Sequence, residues 1–461
     1  MEKSVSSLHI AMYPWFAFGH INPYIQLSNK LAQKGHTISF MIPPKTKSKV
    51  EHLNRYPDLI TFYPITIPHV DGLPSGAETT NDVSSSSISL IMTAMDRTEN
   101  DIELLLRQLK PHFILFDFAY WIPKLARRLG IKSMYYSVVS PAQAAYNVSP
   151  TTNHNLKGKQ VTETDLMQPP PGYPDSSIHL HFHEARDSLF VRNVKHDGSI
   201  LLYDRLFIGL TDCDVIGYRA CREIDGPFAD YLEKEFGKPL LLSGPLIPDT
   251  PSYSLEHKWV DFLGQFTPGS VIYCGFGSEV ILSKDRFQEL LLGLELSGLP
   301  FLAALRTPLE VGSIEEALPE GFKERIGGKG VVYGGWIQQP QILKHPSIGC
   351  FVTHCGWASL IEALANKCQL VLLPKRFDHF LSARLMGNRL KVGVEVEKSE
   401  EEGLFTRESV CKAIKTVMEE DNEVGQKVKA NLTKLRQQIH RQDFESSYID
   451  NFSHKLKTLV A

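Results

Sequence analysis

The chain is 461 residues long, with 43% hydrophobic and 22% charged residues and a formal net charge of −3. Those proportions describe a globular protein of roughly two to four domains, and the near-neutral balance, with no dense basic patch, excludes a protein built around nucleic acid. The N-terminal MEKSVSSLHIAMYPWF has no charged region leading into a long apolar run, and no apolar stretch approaches bilayer thickness, so stable membrane insertion is not expected and the expected compartment is the cytoplasm.

Residues 8–13 read as a short apolar strand, followed by a loop over 14–20 that ends at Gly19 and His20. Ile21, Tyr24, Ile25, Ser28, Leu31 and Ala32 then form a helical stripe closed by Gly35, and a strand over 37–42 stops at Pro43 and Pro44. This β-loop-α-β unit opens a parallel, doubly wound α/β sheet. It carries no GxGxxG, which counts against a nicotinamide or flavin site. Further strands are expected near 60–63, 113–116, 133–136, 214–218 and 239–242. Between them a helix carries Ile88, Met92 and Met95, then Ile102, Leu105, Leu106 and Leu109, with Ser84 to Ser87 as its start.

The stretch 141–201 reads as a long irregular segment with short elements rather than core. Within it His179, His181 and His183 alternate, so on a strand all three would share one face; no fourth metal ligand accompanies them. Asp212-Cys213-Asp214 is the one DxD and precedes an apolar run, where a structural role is expected. The seven cysteines include no CxxC pair, and several lie in apolar runs suited to buried, reduced thiols.

The proline and glycine load around 243–252 marks a linker, placed at 246–254, after which the pattern restarts. Strands follow at 270–274, 300–305 and 330–333, with a helix over 284–296. Then comes the run from Trp336 to His379. Ile348, Gly349, Cys350, Phe351 and Val352 form a strand that passes through Thr353 and His354 to a turn at Gly356. Trp357, Leu360, Ile361 and Leu364 then recur at helical spacing. A helix start exposes unpaired N–H groups and the positive end of the helix dipole, which suits a phosphate. His354 and Ser359 add side-chain donors, Glu362 can accept from a sugar diol, and Trp336 offers a flat face for a base. A strand at 369–373, a helix from Asp378, a strand at 392–396 and helices from Thr406 complete a second sheet, with Glu400 to Glu402 as a solvated loop.

On Trp336, Gln339, His354, Cys355, Gly356, Trp357, Ser359, Glu362, Pro374 and Asp378, this run resembles the signature box of plant family-1 UDP-glycosyltransferases. Ala358 stands where Asn commonly contacts phosphate, and His379 stands where Gln is usual. The resemblance implies the GT-B fold: an acceptor-binding Rossmann-like domain at 1–245, the linker, a UDP-sugar-binding domain at 255–440, and a last helix at 441–461 returning to the first domain. It implies a donor site of Gly19, Ser278, Trp336, Ile337, Gln339, His354, Trp357, Ala358, Ser359, Glu362, Asp378 and His379. It also implies a metal-independent enzyme with UDP-sugar as co-substrate, no further cofactor, and a monomeric state. A histidine at position 379 occurs in some relatives whose donor is not UDP-glucose, so glucose, xylose, rhamnose and galactose all stay open.

His20 is the candidate general base, since an imidazole titrates near physiological pH and this one sits at the end of a β-loop where doubly wound folds bind ligands. Asp117, at the end of the strand at 113–116, is placed to orient it. Finer resemblance, in PWFAFGHINPYIQLSNKLA, ILFDFAYWIP, EARD, LYDR and KPLLLSGPLIPD, points to the branch that extends sugars already attached to anthocyanins, flavonols or related glycosides. A transferase acting directly on a flavonoid or terpenoid aglycone, and a non-catalytic binding protein on the same scaffold, are the two competing readings.

Overall fold

The computed structural model describes residues 7–196, 200–248 and 254–460. Its first sheet contains β1 (His9–Tyr13), β2 (Thr37–Ile42), β3 (Ile60–Pro64), β4 (Phe113–Phe116), β5 (Lys132–Ser137), β8 (Val215–Tyr218) and β9 (Leu240–Leu242), all parallel, in the order 3-2-1-4-5-8-9. β6 (Lys195–His196) and β7 (Ile200–Leu201) pair as a small separate hairpin. The central strands read as continuous apolar runs because both faces are covered: Ile10, Met12, Phe113 and Leu115 pack into one core, Ala11, Tyr13, Ile114 and Phe116 into another.

The second sheet repeats the plan with β10 (Val271–Gly275), β11 (Phe301–Ala304), β12 (Gly330–Tyr333), β13 (Ile348–Thr353), β14 (Gln369–Leu372) and β15 (Gly393–Glu395), parallel in the order 12-11-10-13-14-15. Strand order therefore reverses between β1 and β4 in one sheet and between β10 and β13 in the other. Chains leaving the carboxyl ends of such neighbours diverge and open a crevice, the place where doubly wound sheets bind ligands. Of the linker at 246–254, residues 249–253 lie outside the described residues.

The last helix, Phe444–Thr458, packs on the first sheet's side of the molecule. Ile449, Phe452 and Leu456 enter the core that holds Ile10 and Phe113, burial worth about 2 kcal/mol for each side chain before entropy is counted. His36 pins the helix by polar contacts: its Nδ1 accepts the Leu8 N–H at 3.0 Å, so its Nε2–H is left to donate to Ser453 Oγ at 2.7 Å.

Three sequence expectations are corrected. The first helix runs over Phe18–Gln33, three residues earlier than its apolar stripe suggested, because the Ala17 carbonyl accepts from both His20 and Ile21 N–H at 2.9 Å. Gly19 and His20 thus lie in the first helical turn and not in the loop. The single helix expected over 88–109 is two, Ile88–Asp96 and Glu99–Leu109, interrupted where the Thr98 hydroxyl turns back onto the Met95 carbonyl at 2.7 Å. The segment 141–201, read as irregular, contains helices Pro141–Asn147, Pro150–Leu156, Glu163–Met167 and Phe182–Arg192, and Ala145, Tyr146, Leu180 and Ala185 are core residues.

That last helix also meets the second half of the molecule. Glu184, fully buried, takes Arg384 at 2.8 and 2.9 Å, and Arg384 pairs with Glu395 as well. The carbonyls of Glu400 and Glu401 receive His183 and Arg186 at 3.1 and 3.3 Å. The three alternating histidines are consequently not on a strand: His181 caps this helix, its N–H bonded to Glu184 at 2.9 Å, and His183 lies within the first turn.

Candidate active site

The crevice of the first sheet holds a preassembled dyad. His20 Nδ1 lies 2.6 Å from Asp117 Oδ2, while Asp117 Oδ1 accepts the backbone N–H of Trp15 at 2.7 Å and of Phe118 at 2.8 Å. Asp117 is 2% exposed, so these bonds fix its orientation, and a carboxylate acceptor places the imidazole proton on Nδ1. Nε2 is then the proton acceptor, and the His20 side chain is 20% exposed, packed edge-on against Phe118 at 5.5 Å. Pro23, inside the same helix, has no N–H to return to the Gly19 carbonyl, so the turn bearing His20 is held by fewer helical bonds than its length implies.

A further support was not read from the sequence. Arg205, fully buried, donates to Asp96 Oδ1 at 2.7 Å, to Asp96 Oδ2 at 2.5 Å and to the Phe118 carbonyl at 3.1 Å, so it grips the loop that carries Asp117. The LYDR segment contains it, but Asp96 lies 109 residues away and nothing local links the two.

In the second sheet, the turn after β10 passes through Gly277 at φ 67°, and the turn after β13 through Cys355 at φ 69°. The His354 imidazole lies between them. A Cβ on Gly277 would stand 3.1 Å from its Cε1, and one on Gly356 only 2.5 Å from its Nε2, so both glycines make room for this ring. Gly356 caps the helix Trp357–Leu364. A second buried imidazole, His379, meets His354 edge to face at 4.8 Å. Neither Nδ1 has a hydrogen-bond partner, and burial pushes His354 down to about 4 and His379 well below the ordinary range, so both are neutral at physiological pH.

The other expected donor residues fall into place unevenly. Gln339 Nε2 donates to Ser359 Oγ at 3.1 Å and to Glu362 Oε2 at 2.8 Å, and Tyr273 OH donates to Gln339 Oε1 at 3.1 Å. One Glu362 oxygen is therefore already engaged, and burial raises its carboxyl above the usual value. Trp336 is 71% exposed, a free aromatic face. The side chains of Ile337 and Trp357 are turned into the core, the latter with its indole N–H 3.4 Å from the Arg219 carbonyl, which leaves main-chain groups for a ligand. Ala358 carries no donor. Cys355 is buried with its thiol pushed far up, the opposite of a nucleophile.

Asp378 opens the helix Asp378–Arg384 behind Phe377, whose φ of 48° is a second strained non-glycine backbone at this rim. Burial raises Asp378 to about 6, opposed chiefly by Arg376 and also by His20 across the gap. The halves are joined around this point. Thr80 Oγ1 donates to Glu279 at 2.7 Å, Ser278 Oγ to Asn81 at 3.3 Å, Gln143 Nε2 to the Asp378 carbonyl at 2.5 Å, and Tyr203 stacks with Phe377 at 6.3 Å. Gly19 is exposed in the first helical turn, next to His20.

The DxD lies elsewhere. Asp214 precedes β8, at the edge opposite the ligand-bearing ends, and its carboxylate accepts Ser133 N–H and Oγ at 2.8 and 2.9 Å. Among the described residues no group of three or more His, Cys, Asp or Glu is arranged to hold a metal ion. Among the described residues no helix is long and apolar enough to cross a membrane.

Residues 264–445 match the family described as UDP-glucoronosyl and UDP-glucosyl transferase. The chain is 56% identical over 454 residues to a cyanidin 3-O-galactoside 2''-O-xylosyltransferase from Actinidia chinensis var. chinensis, covering 98% of this chain and 99% of the relative. It is 52% identical over 460 residues to an anthocyanidin 3-O-glucoside 2''-O-glucosyltransferase from Ipomoea nil, covering all of both. Its fold is that of Phytolacca americana UGT2, solved with UDP-2fluoro-glucose and pterostilbene, at TM-score 0.76 and 23% identity over 97% of this chain and 99% of the other. Two facing doubly wound halves, a histidine-aspartate pair in one, a helix N-terminus flanked by glycine turns in the other, and more than half the residues shared end to end with such enzymes place this chain in the UDP-glycosyltransferase family.

Proposed function

We propose that this protein moves one sugar from a UDP-sugar, with inversion, onto a hydroxyl of a sugar already carried by an anthocyanin or flavonol glycoside, with the 2''-hydroxyl of a 3-O-linked hexose as the acceptor position. The observation that carries the chemistry is the His20–Asp117 pair at 2.6 Å, set opposite Asp378 and the neutral His354–His379 pair. The acceptor class is supported by the names of the two relatives.

In this reading 1–245 binds the acceptor, 255–440 binds the donor, and 441–461 ties the two together across the linker at 246–254. The uracil lies on Trp336, and the diphosphate meets the N-terminus of Trp357–Leu364 with Ser278, His354 and Ser359 around it. Main-chain atoms of Ile337, Trp357, Ala358 and Gly19 complete the lining, and Asp378, His379 and Glu362 take the sugar hydroxyls, with Gln339 holding Glu362. His20 Nε2 accepts the acceptor hydroxyl proton as that oxygen bonds to the anomeric carbon. The bond from that carbon to the β-phosphate oxygen breaks on the opposite face, and its electron pair leaves with UDP. Asp117 supports the imidazolium that forms, and no metal step is required. Seven buried, unpaired cysteines suit a reducing compartment, consistent with the cytoplasm.

A matrix of UDP-glucose, UDP-xylose, UDP-galactose and UDP-rhamnose against cyanidin and quercetin, free and as 3-O-monoglycosides, read by product mass, tests this. One added sugar on the glycosides, with the aglycones unreacted, is the expected result. Transfer to aglycones alone would overturn the acceptor class, and no product or UDP with any pair would overturn the enzymatic reading.

A further inference from the structure

We propose that Arg376 is the cation that binds the diphosphate of the donor and takes up the charge of departing UDP, an inference that rests on the transferase reading above. As the sugar–phosphate bond breaks, the diphosphate gains a full negative charge. The groups already assigned to it are neutral dipoles: one uncharged imidazole, two hydroxyls and a helix N-terminus. Ala358, at the helix start, adds no donor. A site of this kind without a metal needs a fixed positive charge, and phosphate favours the planar fork of arginine.

The geometry places Arg376 at that point. It lies in the loop after β14, two residues before Asp378, and it pairs with Glu279, the residue after Ser278. The loop holding Ser278 and Glu279 also contains Gly277, which abuts the His354 ring, and His354 in turn meets His379. Arg376 thus bridges the two loops that enclose the imidazole pair. Burial is the main cause that lowers both histidines and raises Asp378, and the Arg376 charge acts on all three in one direction, favouring their deprotonated forms.

Two neighbouring cations are occupied in other directions, and a third, exposed, holds the Ser278 loop through one nitrogen. Lys375 sits over the Phe405 ring at 6.0 Å, Lys398 donates to the Pro374 carbonyl at 2.6 Å, and Arg306 donates to the Ser278 carbonyl at 2.6 Å. The Arg376 side chain is 34% exposed and its pairing with Glu279 engages one guanidinium nitrogen, leaving the rest of the five-donor fork for phosphate. Glu279 holds the arginine in place before donor arrives, and Thr80 of the first half fixes Glu279 by its 2.7 Å hydrogen bond.

Calorimetric titration of the full chain with UDP and, separately, with uridine decides the matter, with thermal melting to confirm that each variant is folded. R376Q is expected to lose about 10- to 100-fold in UDP affinity, the size of a lost charge-assisted hydrogen bond, and to bind uridine within twofold of the parent. R376K, which keeps the charge without the fork, should lose less, and E279Q, which releases the arginine, should bind UDP at least as tightly as the parent. Unchanged UDP affinity in R376Q and R376K, or equal losses of UDP and uridine, would overturn the assignment while leaving the transferase reading intact. A parent protein that binds no UDP would overturn both.

Discussion

Two histidine pairs face each other across the gap between the sheets, and they are built in opposite ways. His20 is paired with a carboxylate that is itself bonded twice to backbone and braced from below by Arg205. His354 is paired with another imidazole, and each has a buried nitrogen with no partner. The first arrangement is complete without a ligand, as the proposed mechanism requires of a proton acceptor held in position before the reaction. The second leaves buried polar atoms unsatisfied, a cost a folded protein bears where a ligand will repay it. The proposed mechanism uses the first pair for chemistry and the second for binding.

The largest break in this comparison should come from His20→Ala. Removing a positioned base is expected to lower kcat by roughly 10³- to 10⁴-fold, with melting temperature near the parent's because the ring is partly exposed. Asp117→Asn should follow, with kcat down by about 10²- to 10³-fold. The amide cannot keep the proton on Nδ1 as a carboxylate does, so the pH–rate profile should change along with the rate.

The binding pair makes a prediction about acid. In the unfolded chain the His354 imidazole takes up a proton near 6.5, but in the folded chain only near 4. The native state therefore binds fewer protons across that window and loses stability as pH falls through it, by about 2 kcal/mol at pH 5 relative to neutrality. Urea unfolding of the parent and of His354→Gln at both pH values checks this, and the variant's acid loss should be smaller by about that amount. The smallest effect is expected from His379→Gln, a shift of roughly tenfold in the ratio of kcat/KM between UDP-glucose and the parent's preferred donor, read by the same product-mass assay. If the parent already prefers UDP-glucose, the substitution should leave that preference within about twofold.

The difference between the pairs also explains what the sequence disclosed. The box from Trp336 to His379 is local: strand, glycine turn and helix are contiguous, so the period of its apolar residues exposes the helix start and the residues beside it. The strands β1 and β4 are equally plain, because strands buried on both faces are uninterrupted apolar runs. His20 and Asp117 could be joined only by arguing that two strand ends lie side by side in a doubly wound sheet.

Long-range polar contacts left no such trace. Arg205 meets Asp96 across 109 residues, Arg384 meets Glu184 across 200, and no pattern of spacing connects either pair. In the 141–201 segment the signals were present but ambiguous. Ser140-Pro141 and Ser149-Pro150 look like breaks, yet serine before proline is also how a helix begins, with Ser140 and Ser149 accepting from Ala142 and Thr152 N–H at 3.1 and 3.2 Å. Ile337 and Trp357 stand among the expected donor residues, and both side chains are claimed by the core, so any contact there is left to the main chain.

The most direct test separates the two pairs in one experiment: UDP affinity by calorimetry, side by side with turnover, in His20→Ala and His354→Ala. The account predicts that His20→Ala binds UDP within about twofold of the parent while making almost no product, and that His354→Ala loses about tenfold or more in UDP affinity. Equal losses of UDP binding in both variants, or a His20→Ala protein that turns over like the parent, would contradict it.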